Sequence, residues 1–242
     1  MGDKTLRLHL IRHGKAAASA ADYDQLRPLG ETQARKLGEH LGARGQHFDA
    51  VYCGPHRRQV HTLMLCRKAA GETGQAWPQA ATLEGLAEAP YEELLKFGLM
   101  ERLPVDEALQ TLVRRVQDAG EDRDALRTHM AATFDHMARL WHDDEFNREG
   151  MQTAREFLAQ VDDALATLLR NHSEGDVAVV TSNGVIGTMV GRAGGQMPGE
   201  GPVLMIANGS VSVLRASAGA LEVEVVSDTT HLKGEPGLIS IL

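Results

Sequence analysis

The run Thr5-Leu6-Arg7-Leu8-His9-Leu10-Ile11-Arg12-His13-Gly14 decides how the rest of the 242-residue chain is read. Its apolar residues recur with a period of two and stop at a polar Arg-His-Gly, the pattern of a buried strand running into a loop at its carboxyl end. In an open α/β sheet, that end is where ligands bind. Gly14 lets the backbone turn sharply, so the two side chains before it can face a crevice. Arg12 brings a fixed cation with a fork of donors suited to a phosphoryl group, and His13 a nitrogen that can act as a nucleophile near neutral pH.

Working outward, an alanine-rich loop over residues 15–21 leads into Asp22-Tyr23-Asp24-Gln25-Leu26-Arg27-Pro28-Leu29-Gly30. Pro28 opens a helix with Leu29, Ala34, Leu37 and Leu41 on one face, and Gly45 ends it. Residues 48–53 read as a second strand, and Gly54-Pro55 turns the chain into a second helix with Val60, Leu63, Met64 and Ala70 facing inward. That helix opens with His56-Arg57-Arg58. If the strands are parallel, this opening lies on the same carboxyl side as Arg12 and His13, and of two adjacent arginines at least one must point away.

A third strand over residues 79–83 leads into Glu84-Gly85-Leu86-Ala87-Glu88-Ala89-Pro90. Residues 92–100, 104–119 and 122–142 read as three polar-rich helices of a cap inserted over 91–147. This cap either shapes a substrate mouth and excludes water or is a structural annex. Its His129, His136, His142, Asp143, Asp144 and Glu145 read as a solvated charged face, because no pair of ligands four apart accompanies His129 and His136. Residues 151–171 form an amphipathic helix with Phe157, Leu158, Val161, Leu165 and Leu168 inside, and 176–181 a fully buried strand. The pattern then breaks at Ser182-Asn183-Gly184. A short helix over 185–193 follows, so the amides around Asn183 and Gly184 form another anion-favouring position, with Ser182 as a helix N-cap the equal alternative. Strands over 210–215 and 221–226 close the chain around Ser217-Ala218-Gly219. Alternation of this kind predicts a three-layer, doubly wound, mostly parallel α/β sheet with helices on both faces and a helical cap insertion, in one domain over 1–242.

Composition agrees with a globular protein, 43% of the residues being apolar. The net charge of −8 and the lack of any basic block argue against a nucleic-acid partner. No run approaches the roughly 20 apolar residues of a membrane span, and there is no apolar leader, so the expectation is a cytoplasmic protein away from membranes. Cys53 and Cys66 then read as reduced packing residues.

Taken together, the residues resemble the histidine phosphatase superfamily, which contains the cofactor-dependent phosphoglycerate mutases and related phosphatases. Arg12-His13-Gly14 matches its Arg-His-Gly. Leu26-Arg27-Pro28-Leu29-Gly30 with Gln33-Ala34 is similar to its leucine-threonine-proline-leucine-glycine helix. Its serine-proline-leucine-x-arginine, continuing to glutamine-threonine-alanine, resembles Gly54-Pro55-His56-Arg57-Arg58 and His61-Thr62-Leu63, a register that selects Arg58 over Arg57. Leu86-Ala87-Glu88 matches the leucine-x-glutamate of its proton donor, and Asn208, Ser210 and residues 228–232 look like its closing strands. One departure stands out. Where the family has valine-threonine-histidine-glycine-glycine-valine-isoleucine, this chain has Val180-Thr181-Ser182-Asn183-Gly184-Val185-Ile186, so Ser182 replaces the second phosphate-contacting histidine, as in a subgroup with threonine-serine-glycine-glycine.

The resemblance implies His13 as nucleophile and Glu88 as proton donor, with Arg12, Arg58, Ser182 and Asn183 around the phosphate. It implies no metal or other cofactor, and a small phosphorylated substrate or inorganic phosphate as partner. The expected reaction is hydrolysis of a small phosphate monoester through a phosphohistidine, slowed by Ser182. The alternatives are a catalytically weak phosphate-binding or regulatory module and a mutase-like phosphotransferase. His56 and His231 are candidates for a replacement imidazole, and Glu84, Glu92 and Glu93 are rivals of Glu88.

Overall fold

The computed structural model describes residues 4–17, 24–195 and 205–241; residues 18–21 of the expected alanine-rich loop lie outside them. The elements are β1 (Thr5–Arg12), α1 (Pro28–Ala43), β2 (Ala50–Cys53), α2 (Arg57–Glu72), β3 (Ala80–Thr82), α3 (Tyr91–Arg102), α4 (Glu107–Asp118), α5 (Arg123–His142), α6 (Ala154–Asn171), β4 (Gly175–Thr181), α7 (Asn183–Ala193), β5 (Val211–Ser217) and β6 (Ala220–Asp228). They form a six-stranded sheet ordered β3-β2-β4-β1-β5-β6. The strands β3, β2, β4 and β1 run parallel, and the β5–β6 hairpin is added antiparallel to β1.

Alternation along the central strands explains why helices cover both faces of this sheet. Ile11, Val51, Cys53, Ala178 and Val180 point into one core, which α1 and α2 close with Ala34, Leu37, Leu63, Cys66 and Ala70. Leu8, Leu10, Val177 and Val179 are equally buried on the other face, and α7 packs against β1, β5 and β6. Pro28 stands at the first turn of α1, and Gly45, at φ 67°, follows its end. The two helices of the first face come very close. A Cβ on Gly38 would lie 2.3 Å from the carbonyl oxygen of Cys66, so only glycine fits there.

That close approach corrects one expectation. Val60 and Met64 do not face inward; they are 39% and 62% exposed. The buried face of α2 instead carries Arg58, Gln59, Thr62, Leu63, Cys66, Ala69 and Ala70. Small residues suffice where the helices touch, and polar ones are needed where the helix meets the loops, so the apolar periodicity misjudged the facing direction by part of a turn. Leu29 and Leu158, also expected inside, are half-buried.

Compactness divides the chain. Residues 89–159 form a unit of their own, and the sheet with the remaining described residues forms the other. Within residues 89–159, Asp106 and Asp122 cap α4 and α5, and Asp106 also pairs with His136 at 2.8 Å. Tyr91, Phe134 and Trp141 pack edge to face there.

Burial makes the sheet unit sensitive to acid. It holds His9, His13 and His231 below the ordinary imidazole value, His231 near 4. An unfolded histidine titrates near 6.5. Between that value and the lower folded ones the unfolded chain binds more protons, so stability is complete above about pH 6.5 and falls as the pH drops below it. Thermal unfolding should therefore come several degrees lower at pH 5 than at pH 7.5, and His231→Gln should reduce that difference. A melting temperature independent of pH over this range would contradict it.

Candidate active site

The parallel strands deliver their following residues to one end of the sheet. The His13 amide donates to the Thr181 carbonyl at 3.0 Å, and the Gly54 amide to that of Val180 at 3.0 Å. The loops after β1, β2 and β4 are thus tied together. Gly14 and Gly30 make this possible by backbone contact, since a Cβ on Gly14 would lie 2.3 Å from the Gly30 carbonyl oxygen. Thr62 completes the join: its Oγ1 accepts from the Gly14 amide at 3.0 Å and donates to the Arg58 carbonyl at 2.7 Å.

His13 is 5% exposed. Its Nδ1 lies 2.8 Å from the Gly14 carbonyl oxygen, which can only accept, so Nδ1 carries the proton. Nε2 then keeps its lone pair and accepts from Arg58 Nε at 3.1 Å. Burial, followed by the Arg12 and Arg58 cations, holds the imidazole well below its usual pKa against the opposing pull of the Gly14 carbonyl. A neutral imidazole with a directed lone pair follows at pH 7, and that is a nucleophile's state.

Two guanidinium groups flank it. Arg12 donates through Nη1 to the carbonyl of Ile241 at 2.7 Å and to that of Ile206. Arg58 is 4% exposed, whereas Arg57 is exposed, so the two adjacent arginines separate as the spacing requires. The Asn183 carboxamide bears on Arg12 at one remove. Its Oδ1 accepts from the Ile206 amide at 2.9 Å, and the Ile206 carbonyl receives Arg12.

Ser182 is completely buried, and its Oγ accepts from Gln59 Nε2 at 2.8 Å. It stands at the N-cap position of α7 without capping through its side chain. Glu88 does so instead, its Oε1 accepting from the Gly184 amide at 2.9 Å. The segment before Glu88 is pinned where the Leu86 carbonyl accepts from Thr181 Oγ1 and Gln59 Nε2. His56 Nε2 accepts from the Glu88 amide at 3.1 Å, which places His56 beside the proton-donor candidate. His231 sits elsewhere, its ring 6.1 Å from that of His40. Burial pushes the Cys53 thiol up to about 12, so it stays protonated and unreactive. Among the described residues no group of three or more His, Cys, Asp or Glu is placed to hold a metal ion.

Sequence reasoning assigned no role to Gln59, Thr62 or Asp24. Thr62 enters the sequence reading only as part of the motif that fixes the register, and Gln59 not at all; their signal is the spacing of three and four residues from His56 and Arg58. Asp24 gave none beyond its place four residues before Pro28.

An imidazole under the influence of two guanidinium groups, at the carboxyl ends of parallel strands, defines an α/β protein whose cations gather where such sheets bind ligands. The model of the histidine phosphatase superfamily (branch 1) matches residues 8–140 and 115–229, and the chain belongs to that family. A curated relative, the broad-specificity phosphatase YOR283W of Saccharomyces cerevisiae, is 38% identical over 69 residues; the match covers 26% of this chain and 30% of that protein's length. A phosphoglycerate mutase from Bacillus anthracis superposes with a TM-score of 0.60 at 19% identity, over 95% of this chain and 96% of that one. A phosphoserine phosphatase from Entamoeba histolytica, in complex with 3-phosphoglyceric acid, gives 0.58 at 18% identity over 94% and 99%. At such identities these two structures establish the fold. No helix among the described residues is long and apolar enough to cross a membrane.

Proposed function

We propose that this protein is a phosphatase acting on small phosphate monoesters through a phosphohistidine on His13. The observation that carries the reading is the setting of the His13 ring, with Nδ1 2.8 Å from the Gly14 carbonyl oxygen and Nε2 3.1 Å from Arg58 Nε, which implies a proton on Nδ1 and a lone pair on Nε2. As the phosphoryl group enters, its oxygens take over the Arg58 Nε–H; the freed Nε2 lone pair attacks phosphorus, and the bond to the ester oxygen breaks. Arg12 and Arg58 balance the charge on the equatorial oxygens, and Glu88 gives its proton to the departing alkoxide. Water then attacks the phosphohistidine, passes a proton to Glu88, and releases inorganic phosphate from Nε2. The family membership and the broad-specificity phosphatase among its relatives support phosphatase activity.

Ser182 tunes the rate. It stands where the family carries a second imidazole, and Gln59 already engages its hydroxyl. Loss of one donor to the transition state costs about a hundred- to a thousandfold, so turnover should be slow. The direct test mixes the protein with a 32P-labelled phosphate ester and quenches in alkali within the first turnovers. Label that is stable to base, lost in acid and mapped to the peptide of His13 is expected. Phosphate released with no such adduct would overturn the route, and phosphate bound without release would favour the binding-module alternative.

A further inference from the structure

Asp24 lies outside the reaction just proposed, yet its carboxylate accepts three N–H groups. Oδ2 takes the Arg57 amide at 2.7 Å; Oδ1 takes both the Arg58 amide at 3.2 Å and Arg58 Nη1 at 2.7 Å. The Arg58 side chain of this ion pair is 5% exposed and that of Asp24 19%. Asp24 adopts φ 73°, a left-handed conformation in which aspartate is one of the few tolerated side chains. A short ribbon leads it back to His13: Ala17 donates to the Gln25 carbonyl at 2.9 Å, and Arg27 to that of Lys15 at 2.8 Å. Residues 15–17 and 24–27, paired in this way, bring Asp24 to the arginine that faces His13.

We propose that Asp24 is a positioning residue for this site, clamping Arg58 onto the first turn of α2 so that Nε–H faces His13 Nε2. The assignment rests on the reading of His13 as the nucleophile. One oxygen binds both the backbone and the side chain of Arg58, which removes most of the rotamer freedom of a long side chain. The bond to Nη1 is charge-assisted and shielded from water, so it survives where a surface pair would not. Two of the three bonds would also serve a carboxylate that merely caps α2. The third is the one that acts on His13.

The titration of His13 separates these roles. The charged or titratable groups bearing on it are Arg12 from the end of β1, Arg58 from α2 and His56 just before that helix. If Arg58 stays in place in Asp24→Asn, removing a negative charge can only leave the His13 midpoint unchanged or lower it. If the clamp is lost, a cation departs and the midpoint rises. We expect the rise, seen in the 15N and 1H imidazole signals, together with about a tenfold fall in kcat/KM for an aryl phosphate. Asp24→Glu should recover part of both, and it serves as the second variant should the asparagine form fold poorly. A midpoint unchanged or lowered, with kcat/KM within twofold of the parent, would overturn the assignment even if the melting temperature fell. Should the parent protein form no phosphohistidine, the function reading fails by itself. The direction of the imidazole titration still decides whether Asp24 holds Arg58 on His13.

Discussion

His13→Ala is expected to reduce phosphate release by more than about 10⁴-fold, since a residue acting as nucleophile leaves only binding and charge stabilisation behind when removed. The variant should still fold. The backbone bond from residue 13 to Thr181 does not involve the imidazole, and Thr62 continues to tie Gly14 to α2. What is lost is the buried ring and, with it, the acceptor for Arg58 Nε. Because both flanking arginines remain, inorganic phosphate should bind the variant at least as well as the parent. Added imidazole can enter the space left by the ring, take the phosphoryl group and pass it to water, so millimolar imidazole should restore a fraction of turnover. Phosphate release, isothermal titration with phosphate and a melting curve form one set of measurements. Turnover within tenfold of the parent in a folded protein would mean that water attacks phosphorus directly, and His13 would then have to be read as a positioning group.

The extent to which this site was readable from the chain depends on how locally each part is specified. Arg12, His13 and Gly14 follow an alternating strand and precede a turn, so their exposure at the carboxyl end of β1 is a local consequence of sequence. The buried run before Ser182 marks β4 as a fully covered strand in the same local way, and all four residues 177–180 are fully buried; its place beside β1 is set by long-range pairing that the run does not announce. Arg58 could be preferred to Arg57 only through the family's register, because helical spacing alone says that one of them points away. The connection from Asp24 to Arg58 spans 34 residues and needs a left-handed backbone at a non-glycine residue, which no local pattern announces. Val60 and Met64 were misread on similar grounds. The inner face of α2 is decided by glycines on another helix and by the polar needs of the loops, and neither is encoded in the periodicity of α2 itself.

Glu88→Gln is the second large effect, and its form depends on the leaving group. A glutamine keeps an oxygen for the Gly184 amide, so the start of α7 and the segment from Leu86 should remain as they are. It cannot supply a proton. For an alkyl phosphate, whose alkoxide leaves only if protonated, kcat should fall by about 10²- to 10⁴-fold. For 4-nitrophenyl phosphate the leaving group needs little help, so the first step should stay close to its original rate. The second step still needs a base for the attacking water, and the phosphohistidine should accumulate. A burst of nitrophenolate approaching one equivalent per protein, followed by slow steady turnover, is therefore the expected trace in rapid mixing. Glu84, Glu92 and Glu93 set the control. Replacing any of them by glutamine should leave both substrates with their parent rates, whereas equal losses on both substrates without a burst in Glu88→Gln would show that Glu88 holds the site together and transfers no proton.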